Sequence, residues 1–213
     1  MVTPMKAAVK DRRRDVSAEE LAFRFVSGDR ALDLLCTLGD RHREPIERLR
    51  EPADLDRWLA AAGLPVPARA TRRDLGDARR LRETVNRLTR ATLAAGTPDP
   101  ADLRELNRWA RRPALAPQAD PKFRRRWTGE HLVRAALAVI AREAVELLTG
   151  PERALIRECA AAPSCSLLYL DRSRARRRRW CQMDKCGSRA KMTSYRRRRS
   201  AAAEPTDTTP SHP

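Results

Sequence analysis

Four cysteines, Cys159, Cys165, Cys181 and Cys186, fall as two short pairs, C-x5-C and C-x4-C, with fifteen residues between the pairs. Two such pairs joined by a loop bring four thiolates around one tetrahedral Zn2+, each at about 2.3 Å. Four thiolates leave no open position for water, so the chemistry this set supports is a structural ion and not a catalytic one. The same residues could be unrelated small hydrophobes or a redox switch; clustering argues against the first, and nothing in the spacing favours the second. Cys36 stands apart among Leu34, Leu35 and Leu38, the setting of a buried, inert thiol.

The cysteines are set in arginine. Residues 172–199 hold thirteen Arg and Lys against one acid, Asp184, and supply +12 of the chain's formal charge of +17. The rest of the chain is therefore only mildly basic. A localised basic stripe attracts polyphosphate, which makes nucleic acid the expected partner, with double-stranded DNA and RNA both open on charge alone. The candidate contacts are Arg176, Arg177, Arg178, Arg179, Arg189, Lys191, Arg196, Arg197, Arg198 and Arg199. On a helix over 189–199, Arg189, Met192, Arg196 and Arg199 share one side and Lys191, Tyr195 and Arg198 an adjoining one. Such a helix could enter the major groove, with some arginines at guanine edges and the others on phosphates. Trp180 is expected to pack against the small zinc core.

These residues need a scaffold, and the pattern upstream is helical. Ser17 with Glu20 fits a capping box. Ala31 to Leu38 reads as a core helix, and Leu55, Trp58 and Leu59 recur at helical spacing in 54–62, before Gly63. The longest periodic stretch is Arg72 to Ala95, with Leu75, Ala78, Leu81, Val85 and Leu88 inward. A further helix covers Asp102 to Arg111. Pro113, Pro117 and Pro121 then predict a loop, crossed by 122–127 with Phe123 and Trp127 as anchors. Glu130 to Leu148 is a second long helix, broken by Gly150 and Pro151. Residues 151–158 predict a short helix delivering Cys159, 167–170 one strand ended by Asp171, and Gly187 a tight turn at the metal before a helix capped by Ser188. The expected fold is mainly α, without sustained strand alternation. It has a basic disordered N-terminus (1–16), a helical domain (17–150), a four-cysteine finger (151–199) and a disordered tail (200–213).

No stretch approaches the ~20 apolar residues a membrane span requires. The basic N-terminus lacks the apolar core of a signal peptide, so the expected location is cytoplasmic, and at the nucleoid when bound to DNA. His42, His131 and His212 show no metal or triad spacing, and no catalytic residue or enzyme is expected.

Residues 179–191, Arg-Trp-Cys-Gln-Met-Asp-Lys-Cys-Gly-Ser-Arg-Ala-Lys, closely resemble the bacterial CGNR zinc finger, named for its Cys-Gly-Asn-Arg tetrad. Leu170-Asp171-Arg172-Ser173 and Tyr195-Arg196-Arg197-Arg198 match its flanks. Gly28 to Leu34 and the Leu55–Leu59 segment resemble the helical ABATE domain, a stress-induced transcription regulator found upstream of this finger. Ser188 replaces the tetrad's Asn, offering one hydroxyl in place of an amide, and Cys36 stands where relatives commonly carry Asn. The resemblance implies a DNA-binding transcription regulator with one structural Zn2+, whose helical domain dimerises or meets a protein partner. An RNA-binding protein and a zinc-stabilised protein-interaction module are the alternatives.

Overall fold

The computed structural model describes residues 16–202. The N-terminal segment and the tail expected to be disordered lie outside those residues, apart from Val16 and 200–202.

The fold begins with α1 (Ala18–Leu21), where the expected capping box forms: the Glu20 amide donates to Ser17 Oγ and the Ser17 amide to the Glu20 carboxylate. α2 (Arg30–Leu35) is capped by Asp29, and a two-residue ladder, β1 (Leu38–Gly39) with β2 (Ile46–Glu47), follows. α3 (Pro52–Ala61) buries Leu55, Trp58 and Leu59. α4 (Arg72–Leu93) opens on a second capping box, in which Thr71 Oγ1 accepts from the Asp74 amide and the Asp74 carboxylate from Thr71. The heptad-like apolar stripe read in the sequence is the stripe that is buried, Leu75, Ala78, Leu81, Val85 and Leu88. α5 (Pro100–Ala110) packs Leu106 and Trp109 against α4 and α6 (Leu132–Thr149), whose own stripe runs from Val133 to Leu147. α4 and α6 form the centre of one continuous apolar core.

Several charged side chains lie inside this scaffold, among them Asp54, Arg48 and Arg82. Arg82 is 3 % exposed and makes a two-pronged contact with Glu47, both bonds 2.7 Å, with Glu83 and Thr37 taking its remaining donors. Burial, the largest single influence, lowers the affinity of its guanidinium for the proton, but the hydrogen bonds and charges of Glu47 and Glu83 together outweigh it and hold it above the usual value. Among the described residues no helix is long and apolar enough to cross a membrane.

Three short antiparallel ladders interrupt the helices, and two of them depart from the expected elements. Residues 113–128 are not a crossing loop but a hairpin, β3 (Ala116–Ala119) with β4 (Arg125–Thr128), in register Pro117↔Trp127. Trp127 packs against the core as expected, whereas Phe123 anchors nothing: it is 96 % exposed. Residues 151–158 are not one helix. A single 3-10 turn (Pro151–Leu155) gives way to β5 (Ile156–Glu158), which pairs with β6 (Leu168–Leu170). Pairing wins here because Ile156 can then join the helical core from one face of a ladder.

β6 is the hinge of the architecture. Its three residues are all buried, and strand alternation sends them to opposite faces. Leu168 and Leu170 join the helical core, while Tyr169 enters a second cluster made of Cys36, Cys159, Cys165, Leu167, Cys181 and Cys186. One strand thus forms a wall shared by two cores.

Candidate metal centre and nucleic-acid interface

The second cluster is small, and four of its members are the paired cysteines. β5 delivers Cys159 and the turn after it, with Pro163, leads to Cys165. Cys181 precedes, and Cys186 lies within, a single π-type turn (Met183–Gly187), in which the Cys186 and Gly187 amides both donate to the Gln182 carbonyl, at 3.1 and 3.2 Å. The four Sγ atoms lie within 4.8 Å of one another, with Cys165–Cys181 at 3.7 Å and Cys181–Cys186 at 3.6 Å. A tetrahedron with metal–sulfur bonds of about 2.3 Å has edges of about 3.8 Å, so these sulfurs are already at zinc spacing. The Cys181 amide donates to Cys159 Sγ at 3.5 Å.

All four thiols are buried, and packed this closely they cannot ionise independently. Cys165 is brought down to about 5, chiefly by the hydrogen bond from Cys181, while Cys181 is pushed up as the group that donates it. Burial and the neighbouring thiolate push Cys186 up to about 12. A cluster that favours the thiolate at Cys165 and resists it at Cys181 and Cys186 needs a cation to hold four, and a single structural Zn2+ held by Cys159, Cys165, Cys181 and Cys186 meets that need. Cys36 belongs to the packing but not to the four-sulfur set. It is 1 % exposed, its Sγ donates to the Leu32 carbonyl, and burial raises its pKa.

Two expectations at the finger's turn give way to different physics. Gly187 does not take a left-handed φ; a Cβ there would lie 2.5 Å from Met183 Sδ, a contact the exposed, flexible Met183 side chain can relieve by moving aside. Ser188 is no N-cap. Its backbone is already helical, because the π-type turn runs directly into α7 (Ser188–Ala202), and its hydroxyl donates back to the Met183 carbonyl at 3.3 Å.

The basic residues divide into four groups. Lys191 and Arg196 to Arg199 lie on α7, where every side chain from Lys191 to Ser200 is exposed. Arg176, Arg177 and Arg179 are exposed on the segment before Cys181, with Arg179 lying over the Trp180 ring, 5.1 Å from its centre. Arg189 lines a cleft of about 410 Å3 beside Lys185, which pairs with Glu19 at 3.2 Å. Arg178 is engaged inside the finger: its guanidinium donates to the Trp180 and Cys181 carbonyls and covers the Tyr169 ring at 4.7 Å. Tyr169 Oη completes the loop by donating to the Arg178 carbonyl at 2.5 Å, and burial pushes its phenol up to about 12.

Two more residues hold the arginine loop, and neither stood out as a site residue in the sequence. The Asp171 carboxylate has no exposed surface yet lies just beneath the 172–178 loop, accepting from Ser173 Oγ at 2.5 Å, the Ser173 amide at 3.1 Å and the Arg178 amide at 2.9 Å. The Ser173 bonds and the Arg178 amide keep it below the usual carboxylate range. Arg172 clamps the loop to the scaffold through Glu152 (2.7 and 2.8 Å) and the Gly28 carbonyl. The available signal for Tyr169 was the alternation Leu168-Tyr169-Leu170, and for Asp171 and Arg172 the family match of Leu170 to Ser173; for Arg178 a run of arginines offered none.

Comparison with known proteins divides the chain in the same two parts. Residues 28–151 match the family model ABATE, described as "Putative stress-induced transcription regulator". Residues 156–199 match the CGNR zinc finger. No curated protein matches the chain significantly.

Proposed function

As a chain that belongs to the ABATE family and ends in a CGNR zinc finger, we propose, this protein is a DNA-binding transcription regulator that grips duplex DNA with α7 and the arginine loop before Cys181. The observation that carries this reading is the exposure of α7: ten consecutive residues, five of them basic, project uncovered from a closed metal site. An isolated 15-residue helix is marginal in water. Here the metal would hold the turn that starts it, so that the helix arrives at the duplex already oriented. The Zn2+ contributes rigidity and, with its four thiolates, a local charge of roughly −2 that the surrounding arginines offset. Arg196 to Arg199 and Lys191 then reach phosphates and base edges, as arginine and lysine do in a major groove.

In this reading the protein is a binding protein and not an enzyme, works in the cytoplasm at the nucleoid, and uses its helical region to meet a second copy or a protein partner. Binding of a 30-bp duplex by the zinc-loaded protein, followed across salt concentrations, tests it. Contact with six to eight phosphates gives a log–log slope of roughly −5 to −7. No binding, or a flat salt response, overturns the proposal; displacement of the duplex by structured RNA at lower concentration reassigns the ligand to RNA.

A further inference from the structure

Far from the finger in sequence, the β3–β4 hairpin carries a feature that folding does not explain. The Asp120 amide donates to the Arg124 carbonyl and the Phe123 amide to the Asp120 carbonyl, both at 2.9 Å, which closes a three-residue loop, Pro121-Lys122-Phe123. In such loops the last residue is left-handed and is ordinarily Gly or Asn. Here it is Phe123, at φ +54. A bulky side chain at positive φ is strained. An aromatic ring that is 96 % exposed recovers nothing by burial. Both terms disfavour Phe at this position, so its use lies outside the fold.

Its neighbours say what that use is. Lys122, Arg124, Arg125 and Arg126 flank the ring and are all exposed, against the single acid Asp120. Asp120 is engaged within the loop, accepting from the Lys122 and Arg124 amides and pairing with the Arg124 side chain at 2.8 Å. Arg125 lies over the Trp127 ring at 4.9 Å, on the opposite face of the strand from Arg126, so cations line both faces of the ribbon. A two-stranded ribbon fits a DNA groove, guanidinium forks fit phosphates, and an apolar wedge at the tip can stack on or between bases.

We propose that this hairpin is a second nucleic-acid contact, with Phe123 as a base-stacking wedge and Lys122, Arg125 and Arg126 as phosphate contacts. The proposal rests on the nucleic-acid reading of the finger. α6, 18 residues long, carries the chain about 27 Å between hairpin and finger, somewhat less than one turn of B-DNA, so a duplex of a full turn or more is long enough to meet both.

The test uses the full-length, zinc-loaded protein on a 30-bp duplex. Phe123→Gly and Phe123→Asn put at the left-handed position the residues it ordinarily takes, so the melting temperature should hold or rise while affinity falls about tenfold, the loss of one stacked base. Arg125→Ala with Arg126→Ala should make the log–log salt slope shallower by about two. Arg197→Ala with Arg198→Ala serves as the finger comparison. If that variant weakens binding while the hairpin variants bind as wild type, this inference fails and the finger reading stands. If the wild type binds no duplex, both fail. If the hairpin variants keep duplex affinity but lose binding to vesicles of anionic lipid, the hairpin is a membrane contact and the proposal is overturned.

Discussion

The helical region and the finger hold themselves together by different means, although they share a strand. The helical region buries a continuous apolar core of some thirty side chains and adds an internal ion pair, Arg82 with Glu47. The finger's own cluster has seven buried members, five of them cysteines, with Cys36 lent by the segment just after α2. A cluster of that size cannot offset the chain entropy of ordering the roughly forty residues after β5. Metal must make up the difference, while the helical region needs none. What β6 teaches is where one regime ends: Leu168 and Leu170 answer to the first, and Tyr169 to the second.

Removing zinc should break the comparison most visibly. Structural zinc contributes about 10–16 kcal/mol in small fingers, more than anything else in this half of the molecule. With a chelator, or in Cys181→Ser, hydrogen exchange should show the amides of 181–200 losing protection. The Leu170 amide, bonded to the Ser27 carbonyl at 2.7 Å and backed by the helical core, should keep it. Duplex binding should disappear while the bulk of the helical circular dichroism remains. Loss of protection in α4 and α6 as well would show that the two regions are one cooperative unit.

Acid should separate the regions in the same order. In the unfolded chain the four thiols hold their protons at pH 7, and all four must be given up when the metal binds. The finger therefore loses about 5 kcal/mol for each unit of acidification, and the metal leaves within two to three units. In the helical region Glu83 and Asp74 sit below their ordinary values of 4.5 and 3.8. Burial opposes this at both, and is outweighed by the hydrogen bonds and charges of Arg41 and Arg82 at Glu83, and of Thr71 and Arg134 at Asp74. A depressed folded-state pKa stabilises above the unfolded value and is lost only as pH falls through the folded one. Asp29, Asp33 and Glu143 are raised by burial, so the stability tied to their protonated forms grows as pH falls and offsets part of that loss. Zinc release, followed with a metal dye, should therefore precede the change in helical signal; coincident curves would deny the separation.

How much of this was legible beforehand follows the range of the interactions. α4 and α6 repeat their apolar residues every three or four positions, and that pattern is local enough to read directly. The four cysteines were legible because tetrahedral zinc constrains side-chain type and spacing together. The β3–β4 hairpin was not: its eight strand residues are exposed or half-buried, so no alternation marks them, and Pro117 and Pro121 read as loop. Ile156 pairs with Leu170, fourteen residues away, which no local pattern announces. Arg178 is hidden by its company, since only the fold separates the arginine that braces Tyr169 from its equally exposed neighbours.

The buried ion pair sharpens the comparison from the other side. Glu47→Gln leaves the Arg82 guanidinium buried without its principal counter-charge, which in a fully buried pair costs about 3–5 kcal/mol. Glu47 keeps 27 % of its side chain exposed, and Glu83 still accepts from Arg82, so the low end, about 3 kcal/mol, is expected. The melting temperature should fall by roughly 6–12 °C with zinc affinity unchanged. A matching fall in zinc affinity would mean that helical stability is transmitted to the finger.

The smallest effect lies at the seam. Arg172 joins Glu152 and the Gly28 carbonyl, but its side chain is 48 % exposed and that of Glu152 44 %, so solvent screens the pair. Arg172→Ala should cost about 1 kcal/mol or less in stability. Its informative consequence is positional. Asp171 would still hold the loop through the Ser173 and Arg178 amides, leaving the metal site closed, while the arginine segment would lose its tie to the helical region. Zinc affinity should stay as in the wild type and duplex affinity should fall two- to fivefold, in keeping with that ~1 kcal/mol. If duplex affinity is untouched, the finger presents its arginines without help from the scaffold, and β6 alone is sufficient connection between the two cores.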